Sequence, residues 1–362
     1  GKGCLLQKGG LSKKGSTIAR DDVSVVIPHY AGSQLFECLE ALFSDTDAPG
    51  EVLVVDDAST DGTSEVAQRR YPGIRLLRNK TNLGFVGACN RGLAEAAGAY
   101  AVLLNDDALP QPGWLQPLRE RMERDPQIAA CQPKILRAHN SAIFDYAGAA
   151  GGLLDRYGYP FALGRWFDVC EADAGQYDAP REIMWASGAA MMLRMSVYRE
   201  IGGLEPVFQM HMEEIDWCWR ARVAGYRIVS VPESRILHYG AATLTAESLR
   251  KMYLNHRNSL LLLVKNYEAR TLARVLPVRL LLELVTIFGG LVSLNWRRAL
   301  GAAWGLVGAV AALPRILPAR AQVQKLRRVR DHEIACYLYQ GSIVLRWLLR
   351  QGAPAEILGA GA

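Results

Sequence analysis

EVLVVDDASTDGT (51–63) decides how this chain folds. VLVV has no polar alternation, the mark of a strand covered on both faces. It runs into two aspartates and then Asp61-Gly62-Thr63, where Asp61 is a candidate helix cap. A buried strand feeding a helix is half of a βαβ unit. The pattern repeats outward: VSVVI (23–27) ends at Pro28, and IRLL (74–77) and YAVLL (100–104) read as further strands. Helical spacing is expected over 33–43, from Thr63 onward, and over the Ala-rich 85–97. Strands alternating with helices predict an α/β fold with a Rossmann-like, mostly parallel sheet covered on both faces. Ligands of such sheets bind beyond the carboxyl ends of the strands.

The chain changes character downstream. Residues 145–180 are rich in Gly, Tyr and Asp with little periodicity, and are expected to be an irregular excursion serving as a lid. IMWASGAAMML (183–193) returns to the core. A helix is expected over 212–224, closed by Gly225. RIVSV (227–231) reads as a short strand stopped by Pro232. From residue 247 the pattern is helical throughout. Two apolar runs stand out, 275–294 and 299–313, joined by Asn295-Trp296-Arg297-Arg298. Spanning a bilayer takes roughly 20 apolar residues. The first run contains Arg279 and Glu283 and the second is too short, so a hairpin lying in the membrane interface is favoured over spanning or packed helices.

Charge divides the same way. Residues 250–350 hold 17 Lys and Arg against 4 Asp and Glu, an excess of +13, while the whole chain is only +6. The front is therefore acidic and the rear basic, which suits a membrane surface rather than nucleic acid. The seven cysteines (Cys4, Cys38, Cys89, Cys131, Cys170, Cys218, Cys336) include no CxxC pair, which argues against a zinc module and for a reducing compartment. Residues 1–21 lack a secretory apolar core and are expected to form a flexible leader. The expected organisation is this leader, a catalytic unit over 22–267, and a helical, membrane-associated region over 268–362.

Chemistry-bearing residues follow the strands. Tyr30, just past the first strand, can stack on a nucleobase. Asp56 and Asp57 follow the second; adjacent carboxylates are costly to bury unpaired and are expected to face solvent or a ligand. Asn105-Asp106-Asp107 follows the fourth, offering the oxygen donors that a hard divalent cation prefers. In EEIDWCWR (213–220), Glu213, Asp216 and Arg220 share a helix stripe with Glu214 beside it. Crowded acids raise a carboxylate pKa, which suits a general base; helix N-termini also favour acids for purely structural reasons. His238, in LHYGAAT, is a possible metal ligand or an ordinary core histidine.

VSVVIPHY, EVLVVDDASTDGT, NLGFVGACNRG, VLLNDDA, EEIDWCWRARVAGYRI and the His238-Tyr239-Gly240 turn come in the order and spacing of the inverting family 2 glycosyltransferases of the GT-A fold. The chain resembles that family over residues 22–267, and its rhamnosyltransferase-like branch most. The resemblance implies a nucleotide-diphosphate sugar donor, a glycan or lipid-linked acceptor, and a Mg2+ or Mn2+ ion. It implies donor contacts from Pro28, Tyr30, Asp57, Asn82 and Asp106, with Trp185, Ser187 and Gly188 in a loop bordering donor and acceptor. It casts Asp107 as main metal ligand with His238 beside it, and Glu214 as catalytic base, accompanied by Asp216. Asn105 replaces the first acid of the family's triplet, which puts more weight on His238. Rival readings are a hexosyltransferase of the same fold, a non-catalytic nucleotide-sugar or glycan binder, and a nucleotidyltransferase. The last lacks a Gly-rich phosphate loop, since PHYAGS is a poor substitute.

Overall fold

The computed structural model describes residues 22–240 and 248–349. The proposed leader and residues 241–243 of LHYGAAT lie outside the described residues, as do 350–362.

The expected βα alternation is present: β1 (Val23–His29), α1 (Gln34–Ser44), β2 (Glu51–Asp56), α2 (Thr63–Arg70), β3 (Ile74–Arg78), α3 (Gly84–Glu95) and β4 (Tyr100–Leu104). These four strands are parallel in the order β3-β2-β1-β4. Successive residues of β1 serve opposite faces. Val25 and Ile27 join the core with Leu35 and Leu39 of α1, whereas Val26 meets α3. A Cβ on Gly92 would lie 2.2 Å from Val26 Cγ1, so α3 can seat this closely only with glycine there.

Beyond β4 the sheet becomes mixed. β5 (Ala108–Pro110), α4 (Leu115–Arg124), β6 (Ile128–Arg137), β7 (Asn140–Phe144), β12 (Ala190–Arg194) and β13 (Arg227–His238) complete it. β12 lies antiparallel between β4 and β6, which brings residues 185–189 alongside the end of β4. Two local expectations need correction. β13 does not stop at Pro232; its register against β6 shifts between Val231 and Arg235, and this irregularity absorbs the proline. Residues 145–180 are not irregular either. β8 (Gly152–Asp155), β9 (Pro160–Ala162), β10 (Arg165–Trp166) and β11 (Val169–Cys170) form a second sheet, extended by β14 (Leu338–Tyr339) from the far end of the chain. Strands of two to four residues are too short to show periodicity.

α5 (Met195–Ile201) and α6 (Glu213–Val223) pack on the main sheet. The rear is built from α7 (Leu249–Asn266), α8 (Ala269–Val292) and α9 (Trp296–Leu326), followed by short α10 (Asp331–Ile334) and α11 (Ile343–Leu348). α9 runs through Pro314 and Pro318, well beyond the expected end of its apolar run.

Candidate active site

The order β3-β2-β1-β4 reverses direction at β1, so β1 and β4 flank the switch point where α/β sheets bind ligands. Across it, His29 Nδ1 lies 2.7 Å from Asp106 Oδ2. His29 is buried, and its Nε2 has no partner among the described residues. Tyr30 follows with 58% of its surface exposed, free to meet a planar ligand. Pro28 pairs with Val55 in the sheet, so only its backbone edge reaches the cleft.

The paired aspartates after β2 turn inward instead of facing solvent. Asp56 accepts from Ser59 N at 2.7 Å and Ser64 Oγ at 2.6 Å. Asp57 Oδ1 accepts from Asn79 Nδ2 at 2.7 Å and Leu83 N at 2.8 Å, and its Oδ2 from Gly84 N at 2.8 Å. It thereby satisfies orphan amides at the start of α3. Three of its roughly four lone-pair positions are taken, leaving one for a base N–H. Asn82 is exposed and accepts from Gly84 N at 2.9 Å. Gly62, in a left-handed conformation, holds the cap position of α2, and Asp61 beside it accepts from Thr63 N at 3.1 Å and Thr63 Oγ1 at 2.7 Å at the start of the helix. It accepts from Gly32 N at 2.9 Å, tying the loops after β1 and β2 together.

After β4, Asp107 is buried, with Oδ1 3.0 Å from His238 Nε2; His238 Nδ1 lies 2.9 Å from Asp145 Oδ1. Burial opposes charge on this imidazole, but hydrogen bonds and charge from Asp107 and Asp145 outweigh it and raise His238 to about 10. Burial likewise pushes Asp107 up, while His238 holds it below the usual carboxylate range. The Asn105 amide stands 3.5 Å from His238 Nε2, and its buried Oδ1 has no partner among the described residues. An amide oxygen, a carboxylate and an imidazole suit a divalent cation. Asp145 orients the histidine as metal-ligating imidazoles require. Among the described residues no three His, Cys, Asp or Glu side chains converge as a closed metal cage. An open platform of this kind relies on substrate phosphates for its remaining ligands.

Ala186 N lies 3.4 Å from Cys218 Sγ, and Asn105 N donates to Ala189 O at 3.0 Å, so the 185–189 loop bridges α6 and the end of β4. Glu214 occupies the first turn of α6, one turn before Cys218. Burial raises Glu214 to about 7, and holds its neighbour Glu213 well above the usual carboxylate range, with the Glu214 charge adding to the effect. Glu213 Oε2 and Glu214 Oε2 are buried without partners among the described residues.

Two sequence-derived candidates are not brought to the cleft. Asp216 is fully buried and bonded to Arg220 Nε at 2.9 Å, Lys265 Nζ at 2.8 Å and Asn266 Nδ2 at 2.9 Å. It anchors α6 to α7 rather than carrying a proton. Trp185 is buried against Gly152, and its Nε1 donates to Leu153 O at 2.7 Å. Ser187 is buried too, its N donating to Gln132 Oε1 at 2.8 Å, while Gly188 packs beside Phe85. Sequence reasoning passed over His29 and Asp145. Each is an ionisable residue at the end of an apolar run, IPH and IFD, and that was the available signal.

The model of the glycosyl transferase family 2 matches residues 24–202. The N-acetylglucosaminyl-diphospho-decaprenol L-rhamnosyltransferase of Mycobacterium tuberculosis is 28% identical over 261 residues, 67% of this chain and 84% of that protein. The chain carries a glycosyltransferase family 2 domain. The pre-mycofactocin glycosyltransferase of the same organism is also similar, 28% identical over 52% of this chain and 37% of its own length. Among solved structures, GalNAc-T7 with UDP, GalNAc and Mn2+ superposes with a TM-score of 0.53 at 17% identity, covering 69% of this chain and 48% of that one. At that identity the likeness speaks for the fold, which is GT-A. This family 2 transferase thus carries its polar motifs on the edge of the sheet where the fold holds its ligands.

Proposed function

We propose that this transferase moves a sugar, with rhamnose the first candidate, from a nucleotide-diphosphate donor to a hydroxyl of a glycan or lipid-linked acceptor, inverting the anomeric configuration. The observation that carries this reading is the half-buried Glu214, whose Oε2 is buried without a partner among the described residues and whose pKa is raised to about 7, joined through the 185–189 loop to the Asn105–Asp107 edge. Tyr30 stacks on the base, Asp57 accepts from it, and Asn82 and Asp106 border the ribose and diphosphate. Glu214 removes the proton as the acceptor oxygen bonds to the anomeric carbon. The bond from that carbon to the diphosphate breaks on the opposite face, and the nucleoside diphosphate departs. Holding both reactants in line supplies much of the acceleration, and the base a further ~10²–10⁴-fold. Asp107 and His238 would hold Mg2+ or Mn2+, with Asn105 beside them; when bound, the ion supplies charge neutralisation at the diphosphate. His238 would give up its proton to ligate.

The acceptor reading rests on the rear of the molecule, read as a mainly helical region over 268–362 behind a catalytic unit of 22–267, whose second sheet it completes with β14. α8 and α9 are each long and apolar enough to cross a membrane, but leave Leu281, Leu284, Phe288 and Leu291 of α8 and Val307 and Val310 of α9 exposed. Apolar side chains on a basic region fit the cytoplasmic face of a membrane. The mycobacterial relative, by its name, acts on a sugar attached to diphospho-decaprenol. The deciding experiment is a panel of dTDP-, UDP- and GDP-sugars, read by Mn2+-dependent hydrolysis and thermal stabilisation. Turnover of a rhamnose donor above all others is expected. Preference for a UDP- or GDP-hexose would replace rhamnose, and silence across the panel would favour a non-catalytic binder.

A further inference from the structure

The backbone just before α6 departs from ordinary geometry. Gln209 has φ 63° and ψ −61°, and Met210 N donates to Phe208 O at 2.7 Å. This is a γ-turn of the rare, positive-φ form. His211 at φ 66° and Met212 at φ 74° continue in the left-handed region, and none of the three is glycine. Such conformations persist only where the surroundings over-determine them, and they gather at functional sites.

The surroundings here are one residue pair on α7. Asn258 is fully buried, and its Nδ2 donates to Phe208 O at 2.8 Å, Met210 O at 2.9 Å and His211 O at 2.9 Å. Its Oδ1 accepts from Arg257 Nη1 at 2.7 Å, and the same Nη1 donates to Val207 O at 2.9 Å. With the amide oxygen held by a guanidinium, only the NH2 can face the loop, so the neighbours fix the orientation of the amide. The carbonyls it gathers are those the γ-turn swings away from any helical or strand partner. Met212 O then accepts from Asp216 N at 2.8 Å, so the bent segment leads directly into the turn that carries Glu213 and Glu214.

We infer that Arg257 and Asn258 are positioning residues for proton transfer: they clamp 207–212 and so set the direction in which Glu214 enters the site. This rests on the reading of Glu214 as the base. The test uses the full chain with Asn258→Leu and the milder Asn258→Ser, which keeps one donor and guards against loss of folding. Hydrogen exchange of the 210–216 amides should quicken at least tenfold, with β1 to β4 unchanged. Hydrolysis of the best nucleotide sugar of the panel should lose roughly 10- to 100-fold in kcat. Affinity for its nucleoside diphosphate with Mn2+ should stay within about twofold. Native exchange in Asn258→Ser and Asn258→Leu, or a loosened loop with native kcat, overturns the inference. A loosened loop with reduced kcat, beside a Glu214→Gln variant of native turnover, keeps the clamp and removes Glu214 as the base.

Discussion

Glu214 and Glu213 share their helix with Asp216, but among the described residues only Asp216 is answered by cations. Asp216, two residues on, is held below the usual carboxylate range: burial would raise it, but Lys265 and Arg220 outweigh that. Glu214 is raised to about 7 by burial. A base works in its ionised form, so turnover should fall as pH drops through about 7 and level off above it. Because the Glu214 charge bears on the adjacent Glu213, the profile will report the pair's apparent values. Glu214→Gln should lower kcat by ~10²–10⁴-fold. Donor binding in a thermal-shift assay should stay near native; a Gln variant with native turnover would end the assignment. Asp107→Ala should lose most Mn2+-dependent stabilisation by the nucleoside diphosphate while leaving metal-free binding little changed, measured by titration calorimetry with and without Mn2+. The sequence made both sites legible because acids after apolar strands are rare and costly. It could not separate Asp216 from Glu214, since their difference lies in Lys265 and Asn266, some fifty residues away in the chain. It could not show that Trp185 turns into the core, because an apolar loop beside a cleft and one beneath it have the same composition.

At the scale of elements, α8 shows how an apolar helix carries charge. Arg279 Nη2 lies 2.6 Å from Glu283 Oε1 and His256 Nδ1 lies 2.7 Å from Glu283 Oε2, with Arg279 and Glu283 fully buried. Arg279 also donates to Ser259 Oγ at 2.7 Å, so the cluster joins α8 to α7. Arg279 and Glu283 thus lie inside the protein and leave the exposed face of α8 from Leu281 onward apolar. Removing one partner strands the other, typically at ~3–5 kcal/mol, whereas replacing both with apolar groups is often neutral. Glu283→Leu should therefore destabilise strongly, and Arg279→Met with Glu283→Leu should recover most of the loss, as read from chemical denaturation. A double variant no better than the single would argue against a buried pair. The parallel half of the sheet was legible because its strands are mostly apolar and alternate with helical stretches. The second sheet was hidden because β8 to β11 are short and its last strand, β14, arrives from residue 338.

Across the whole molecule, charge and apolar exposure coincide. Of the +13 excess over residues 250–350, α8 carries Arg270, Arg274 and Arg279 against Glu283 and α9 carries Arg297, Arg298, Arg315, Arg320 and Lys325, beside exposed side chains such as Leu284 and Phe288, the latter with 68% of its surface bare. Burying one such side chain is worth ~1.5–3 kcal/mol, and each Lys or Arg close to an anionic leaflet adds about 1 kcal/mol. Several of each exceed the cost of holding the protein at a surface. The two terms answer differently to salt, since screening weakens only the ionic part. Sedimentation with anionic vesicles should therefore be strong at low salt and partly retained at high salt. Leu284→Glu with Phe288→Glu should abolish the retained part while leaving nucleotide-sugar hydrolysis in solution within about twofold, because neither residue lies at the sheet edge that carries Asp107. If that variant still binds vesicles at high salt, α8 is not the face that meets the membrane. If the native protein never sediments with them, the exposed stripe belongs against another protein, and the lipid-linked acceptor loses its physical support.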